Sequence, residues 1–169
     1  MTSGFVPNEP TASRGHPSPR DLELVRRLAS AERGLAVVAT ARPDGSIQAS
    51  VVNAGLFDHP LTGQPVVAFV ARGGTVKLRS LRRTHRATVV FRAGWQWVTV
   101  EGRAELIGPD DQLDGFEPMA LPRLLRDIFS AAGGTHDDWP TYDRVMAEER
   151  RTAVLVAFER VYTNPERDG

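Results

Sequence analysis

The chain has 169 residues, 41% apolar and 25% charged, and its 21 basic and 21 acidic side chains leave no formal net charge. This describes one ordinary globular domain, long enough for a core. The lack of cysteine excludes disulfides, thiolate metal sites and a cysteine nucleophile, no apolar run reaches membrane-spanning length, and with no apolar secretory signal at the N-terminus the chain reads as cytoplasmic.

Residues 1–20 are rich in Pro, Ser, Thr and Gly without apolar periodicity and read as a flexible arm. A helix is expected over 21–32, with Leu22, Val25 and Leu28 on one face and Arg33-Gly34 ending it. The apolar run 35–41 reads as a buried strand, Pro43-Asp44-Gly45 as a turn, and 47–57 as the second arm of a hairpin. A loop and a third strand at 66–71 follow.

The next stretch is basic. Residues 72–92 carry Arg72, Lys77, Arg79, Arg82, Arg83, Arg86 and Arg92, and no Asp or Glu occurs from His59 through Val100. Lys77 is the only lysine. Gly73-Gly74 makes a turn, Thr75 suits a helix N-cap, and a short helix is expected over 76–83. Leu78 and Leu81 pack inward, while Arg79 and Arg83 point away. Unpaired N–H groups at a helix start, with a lysine beside them, suit a phosphate. The plainer alternative is a solvated basic helix with no ligand.

A fourth strand is expected at 87–91 and a fifth at 95–107. In the fifth, Val98, Val100, Gly102, Ala104 and Leu106 alternate with Trp95, Trp97, Thr99, Glu101 and Arg103. Residues 110–150 read as helical. One segment lies at 121–131; the next is capped by Asp137 or Asp138, has Pro140 in its first turn, and carries Tyr142, Val145 and Met146 on one face. A last strand spans 152–162. The domain closes by 165, and 166–169 are a polar tail.

The expected fold is mainly β (α+β): a small barrel of about six antiparallel strands with peripheral helices. So small a barrel fills its interior with its own side chains, so a flat ligand must lie in an outer groove, which a symmetric dimer buries most simply.

Other chemistries find little support. His16, His59, His85 and His136 follow no ligand spacing. No G-x-S-x-G elbow and no P-loop occurs. Glu101 and Glu105 read as salt-bridge partners on a strand face. Nucleic-acid binding is the rival from another class, with arginines for phosphates and tryptophans for stacking; neutral total charge and one short patch weigh against it.

Four segments carry a resemblance: LAVVATARPDGSIQAS, TVKLRSLRRTHRATV, WQWVTVEGRAEL, and HDDWPTYDRVMAEERR followed by a strand ending in VY. Together they resemble the pyridoxamine 5'-phosphate oxidase-like, FMN-binding split-barrel family, and within it the deazaflavin (coenzyme F420)-dependent oxidoreductases. The resemblance implies a homodimer of split barrels with two cofactor sites at the interface. It matches Lys77 to a phosphate-binding lysine, with Thr75, Arg79 and Ser80 around it. It sets the ring against Ala49, Ser50 and Val51 and against Val70, Ala71 and Arg72, and it brings Trp95 and Trp97 in from the partner. Related proteins often carry an arginine two residues before the lysine and an asparagine three after; here these positions are Thr75 and Ser80, with Arg72 as a substitute cation.

Coenzyme F420 ends in a phosphodiester and an oligoglutamate tail, FMN in a single phosphate. The arginines beyond Lys77 (Arg79, Arg82, Arg83 and Arg86) fit the longer anion. The expected activity is hydride transfer from reduced deazaflavin to a small conjugated acceptor. An FMN-dependent pyridoxamine-phosphate-oxidase-like enzyme and a non-catalytic cofactor carrier are the alternatives. No acid–base residue stands out; Arg72 or Ser50 could hydrogen-bond the ring or acceptor. Trp95 and Trp97 either stack on a substrate or pack at a dimer seam.

Overall fold

In the computed structural model, which describes residues 11–165, the chain runs β1 (Thr11–Arg14), α1 (Pro19–Ala31), β2 (Leu35–Ala41), β3 (Ile47–Asp58), β4 (Pro65–Ala71), α2 (Val76–Thr84), β5 (Arg86–Ala93) and β6 (Gln96–Ile107). A 3-10 turn (Pro118–Ala120), α3 (Leu121–Ala131), α4 (Trp139–Glu148), β7 (Thr152–Ala157) and β8 (Arg160–Thr163) follow. Strands β6-β5-β2-β3-β4-β7 are antiparallel neighbours, and β6 pairs again with β7. This closes a six-stranded barrel, and β8 and β1 extend its sheet beyond β6.

Closure depends on one bend. Residues 98–101 of β6 pair with β8, and residues 104–107 pair with β7. Gly102 sits between, where a Cβ would lie 1.9 Å from the Ala157 carbonyl oxygen. The strand therefore changes partners at a point that only glycine fits. The same crossing interrupts the final strand. The single strand expected over 152–162 is two, because Phe158 and Glu159 step from β7 to β8 and the Glu159 N–H donates to the Glu101 carbonyl at 3.1 Å.

Alternate residues of the strands fill the barrel, with Phe69, Phe91, Val38, Val89, Val98 and Val100 fully buried. Helix α1 contributes Val25 and Leu28 to this core, and α2 contributes Leu78 and Leu81. A second apolar layer lies outside, where Ala68 and Leu155 meet Leu124, Leu125 and Ile128 of α3 and Tyr142 of α4. Strands β4 and β7 are therefore buried on both faces, which is why they read as continuous apolar runs.

Two boundaries differ from expectation at the N-terminus. Within the stretch expected to be a free arm, Thr11–Arg14 pairs with β8. Helix α1 starts at Pro19, two residues early, on a capping box: the Asp21 N–H donates to Ser18 Oγ at 3.1 Å and the Ser18 N–H to Asp21 Oδ2 at 2.9 Å. Residues 1–10 of that arm and the tail 166–169 lie outside the described residues. Among the described residues, no helix is long and apolar enough to cross a membrane.

Candidate functional site

The β3–β4 ladder runs from Asp58↔Pro65 to Ala54↔Phe69 and stops. Nearer its start, β3 pairs only with β2. Residues 51–53 and 70–72 therefore border an opening with ladder edges unused, and buried or ligand-facing backbone groups need partners. A groove of about 400 Å³ occupies this split. Val51, Val52 and Asn53 form one bank, Val70, Ala71 and Arg72 the other, and Ile128, Phe129, Ala132, Tyr142 and Met146 an apolar wall.

The basic end of the groove is built by the start of α2. Thr75 caps the helix, its Oγ1 accepting from the Leu78 N–H at 3.4 Å. Lys77 is half-buried, lines the groove, and pairs with no carboxylate among the described residues. Burial, and then the charge of Arg151, hold its ammonium below the ordinary lysine range. Arg151 leads into β7 and also lines the groove. Glu149 accepts from Arg151 at 2.7 Å and lies 3.9 Å from Arg72 Nε. The Gly73 N–H donates to the Glu149 carbonyl at 3.0 Å, and a Cβ on Gly73 would come within 2.8 Å of Arg150 Cβ. The β4–α2 turn is thus fastened to the α4–β7 link.

Six expected residues meet here: Val51, Val70, Ala71, Arg72, Thr75 and Lys77. The others lie elsewhere in the chain. Ala49 is on the outer face of the β2–β3 sheet, beside Val51. Ser50 turns the opposite way, into the barrel, and its buried Oγ has no hydrogen-bond partner. Ser80 is buried, and Arg79 donates to the Gly74 carbonyl at 2.9 Å. Trp95 is 91% exposed in the β5–β6 turn, and Trp97 lies 6.0 Å from Tyr162; neither lines this groove within one chain. Sequence reasoning missed the wall from α3 and α4: it placed Tyr142 and Met146 on one helix face without assigning that face to the groove. It also missed Arg151, whose approach to Lys77 has no local signal.

A family model described as pyridoxamine 5'-phosphate oxidase matches residues 23–164. The chain belongs to the pyridoxamine 5'-phosphate oxidase family. No curated protein matches it in sequence. Solved structures share the fold. The protein Atu2129 of unknown function from Agrobacterium tumefaciens is 20% identical with a TM-score of 0.56, the match covering 89% of this chain but 59% of that one. A pyridoxamine 5'-phosphate oxidase-related, FMN-binding protein from Nostoc punctiforme is 14% identical with a TM-score of 0.56, over 87% of this chain and 84% of that one. An F420 reductase is 15% identical with a TM-score of 0.55, over 88% and 96%.

For this member of the pyridoxamine 5'-phosphate oxidase family, the groove's donors and walls fit a phosphate-bearing flat ring. Lys77, Thr75 and the first turn of α2 suit the phosphate, and the unused strand edges and apolar wall suit the ring. The arginine surface is smaller than the sequence implied. Arg82 makes two bonds to Asp111, at 2.8 and 2.7 Å, and Arg86 pairs with Glu159 at 2.7 Å. Arg79 and Arg83 donate only to backbone carbonyls, those of Gly74 and Ala41. The acid-free window of the sequence is not acid-free in space, so two of the four arginines assigned to a long anion are already neutralised.

The Tyr142 hydroxyl donates to the Leu125 carbonyl, and burial pushes its pKa up to about 12. His59 is buried away from the groove: its Nδ1 accepts from the Leu61 and Thr62 N–H groups, and Nε2 faces Glu105 at 2.7 Å. Glu101 accepts from the Tyr162 hydroxyl at 2.6 Å.

Proposed function

We propose that this protein is an oxidoreductase that holds a phosphate-bearing flavin or deazaflavin in the β3–β4 groove, with coenzyme F420 as the preferred cofactor. The observation that carries this reading is Lys77: a half-buried cation with no carboxylate partner among the described residues, at a helix start, at one end of an apolar groove. Removing an ammonium from water is unfavourable unless an anion compensates. Thr75 and Lys77 would hold the phosphate. Val51, Val70 and Ala71 would flank the ring, and the α3–α4 wall would exclude water. When bound, a reduced deazaflavin supplies a hydride to a small conjugated acceptor. Arg79 and Arg83, both without carboxylate partners among the described residues, favour the longer anionic tail of coenzyme F420. The neutralised Arg82 and Arg86 favour FMN as the second reading, and the fold is shared with proteins described as binding either. Titrating the purified protein with coenzyme F420, FMN and riboflavin separates these readings. Coenzyme F420 is expected to bind tightest; tight FMN binding without F420 binding would select the second reading.

The same reading includes a homodimer. On the outer sheet face, Val51 aligns with Val37, and Val37 with Val90. Val51 is 65% exposed, Ile47 61%, Leu35 48% and Val37 41%. A contiguous aliphatic surface of this kind is characteristic of an interface. Val51 belongs both to this face and to the groove, so a second copy seated here would complete the groove, with its tryptophans available to the ring. Val51→Glu is expected to shift the protein to monomers in sedimentation-velocity measurements and to weaken cofactor binding in parallel. A monomeric wild-type protein that binds cofactor fully would end the dimer proposal.

A further inference from the structure

Lys77 is not the groove's only source of positive charge. Arg151 lines the same groove, and its charge acts on Lys77. It reaches the site from a distant part of the sequence, at the α4–β7 link. Its guanidinium is held from one side: Nε lies 2.7 Å and Nη2 2.6 Å from the same oxygen, Glu149 Oε2. Among the described residues, Nη1 has no acceptor and is left for another. Arg72 stands across the mouth of the groove, 3.9 Å from the other Glu149 oxygen.

We infer that Arg151 is a second cationic ligand for the phosphate of whatever occupies the groove, and that Glu149 is its built-in counter-ion, lowering the affinity of the site for anions while keeping the guanidinium aimed. This inference rests on the reading of the groove as an anion-binding cofactor site.

Two like charges in one half-buried groove repel, and the fold tolerates the arrangement because a carboxylate stands beside one of them. Lys77, Arg72 and Arg151 against Glu149 leave a surplus of positive charge that a phosphate would neutralise. Glu149 stays ionised, since the hydrogen bond from Arg151 holds its carboxyl below the ordinary range. One hydrogen bond from the Gly73 N–H holds the Glu149 carbonyl, and the Arg151 N–H donates to the Met146 carbonyl at 2.9 Å, so Arg151 needs little reordering when an anion arrives. The arrangement predicts a distinct result for each partner. Removing the arginine charge weakens anion binding. Removing the carboxylate charge, with the hydrogen-bond acceptor kept, strengthens it.

The test uses full-length protein and variants R151Q, R151K and E149Q, each first checked for an unchanged thermal midpoint and circular dichroism spectrum. Affinities for coenzyme F420, FMN and riboflavin are measured by fluorescence. Because Lys77 is the only lysine, side-chain ¹⁵N-lysine labelling gives one ammonium signal, followed during titration with inorganic phosphate. R151Q is expected to lose about tenfold in affinity for the phosphate-bearing cofactors and for phosphate, with riboflavin unaffected, and R151K to recover part of the loss. E149Q is expected to bind phosphate about threefold or more tighter. Wild-type and R151Q proteins binding phosphate and cofactor equally would overturn the role of Arg151 while leaving the cofactor reading standing. A loss in R151Q that extends equally to riboflavin would mean that Arg151 only supports the fold of the groove. Weaker binding in E149Q would overturn the counter-ion role. If wild-type protein binds no flavin, the cofactor reading fails, and the phosphate titration still decides whether Arg151 and Lys77 share an anion.

Discussion

Lys77→Met is expected to weaken cofactor binding by about 10- to 100-fold and, unusually for a half-buried residue, to stabilise the ligand-free protein slightly. The first effect follows from a lost charge-assisted hydrogen bond to phosphate, a contribution of about 1–3 kcal/mol. The second follows from the position of the ammonium in the groove, where burial and the Arg151 charge both disfavour its protonated form. Between that lowered value and the ordinary lysine range, the unfolded chain binds the extra proton and the folded chain does not. Stability therefore rises with pH through that window, and below it the charged lysine opposes folding in full. A neutral, unbranched side chain removes the penalty, raising the melting temperature by about 1–2 °C. Anion binding opposes the same shift, so cofactor affinity should fall as pH rises through the lowered value. Fluorescence titration at several pH values, paired with thermal melts without ligand, checks both directions. A Met variant that binds as tightly as wild type would remove Lys77 from the site.

Gly102→Ala is expected to be the most damaging single-methyl change in the barrel, at about 3 kcal/mol or more. The added Cβ would sit 1.9 Å from a backbone carbonyl oxygen, that of Ala157, and no rotamer change relieves a backbone contact. Backbone dihedral preference is not the cause, since Gly102 has an ordinary φ. Gly45→Ala supplies the contrast: its φ is +85° but nothing lies within 4 Å of the added Cβ, so it should lose only about 1–2 kcal/mol. Urea denaturation of the two variants separates steric from dihedral cost. The change at Gly102 also reaches function. If β6 cannot pass from β8 to β7, then β7 loses its β6 neighbour, and the strand paired with Val70 and Ala71 of the groove bank is braced on one side only. Equal destabilisation by the two substitutions would mean that the bend can move.

Much of the fold was legible because its signals are local. The 2-residue alternation of β6 put Val98 and Val100 on one face, and both are fully buried. Leu78 and Leu81, three apart, point inward as their spacing requires. Thr75 caps α2, and of the two candidate caps for α4 the helix uses Asp138, which accepts from the Thr141 N–H at 3.0 Å. The basic turn is therefore legible as a candidate anion site from its local sequence. Residues 11–14 were misread because polar, proline-flanked sequence carries no strand signal; their partner, β8, supplies the strand.

By itself, the sequence determined where most of the strands and helices lie, which of their faces are apolar, and that its one lysine opens a short helix. These depend on residues a few positions apart, where propensity, capping and periodicity act. Only the tertiary structure decided which charges remain available to a ligand. Arg82 meets Asp111 across 29 positions and Arg86 meets Glu159 across 73, while Arg151 and Glu149 arrive at Lys77 from the opposite end of the chain. Electrostatic energy falls with separation in space and is indifferent to separation along the chain, so a basic run in the sequence becomes a binding site only where the fold leaves its cations in excess of the carboxylates brought to it.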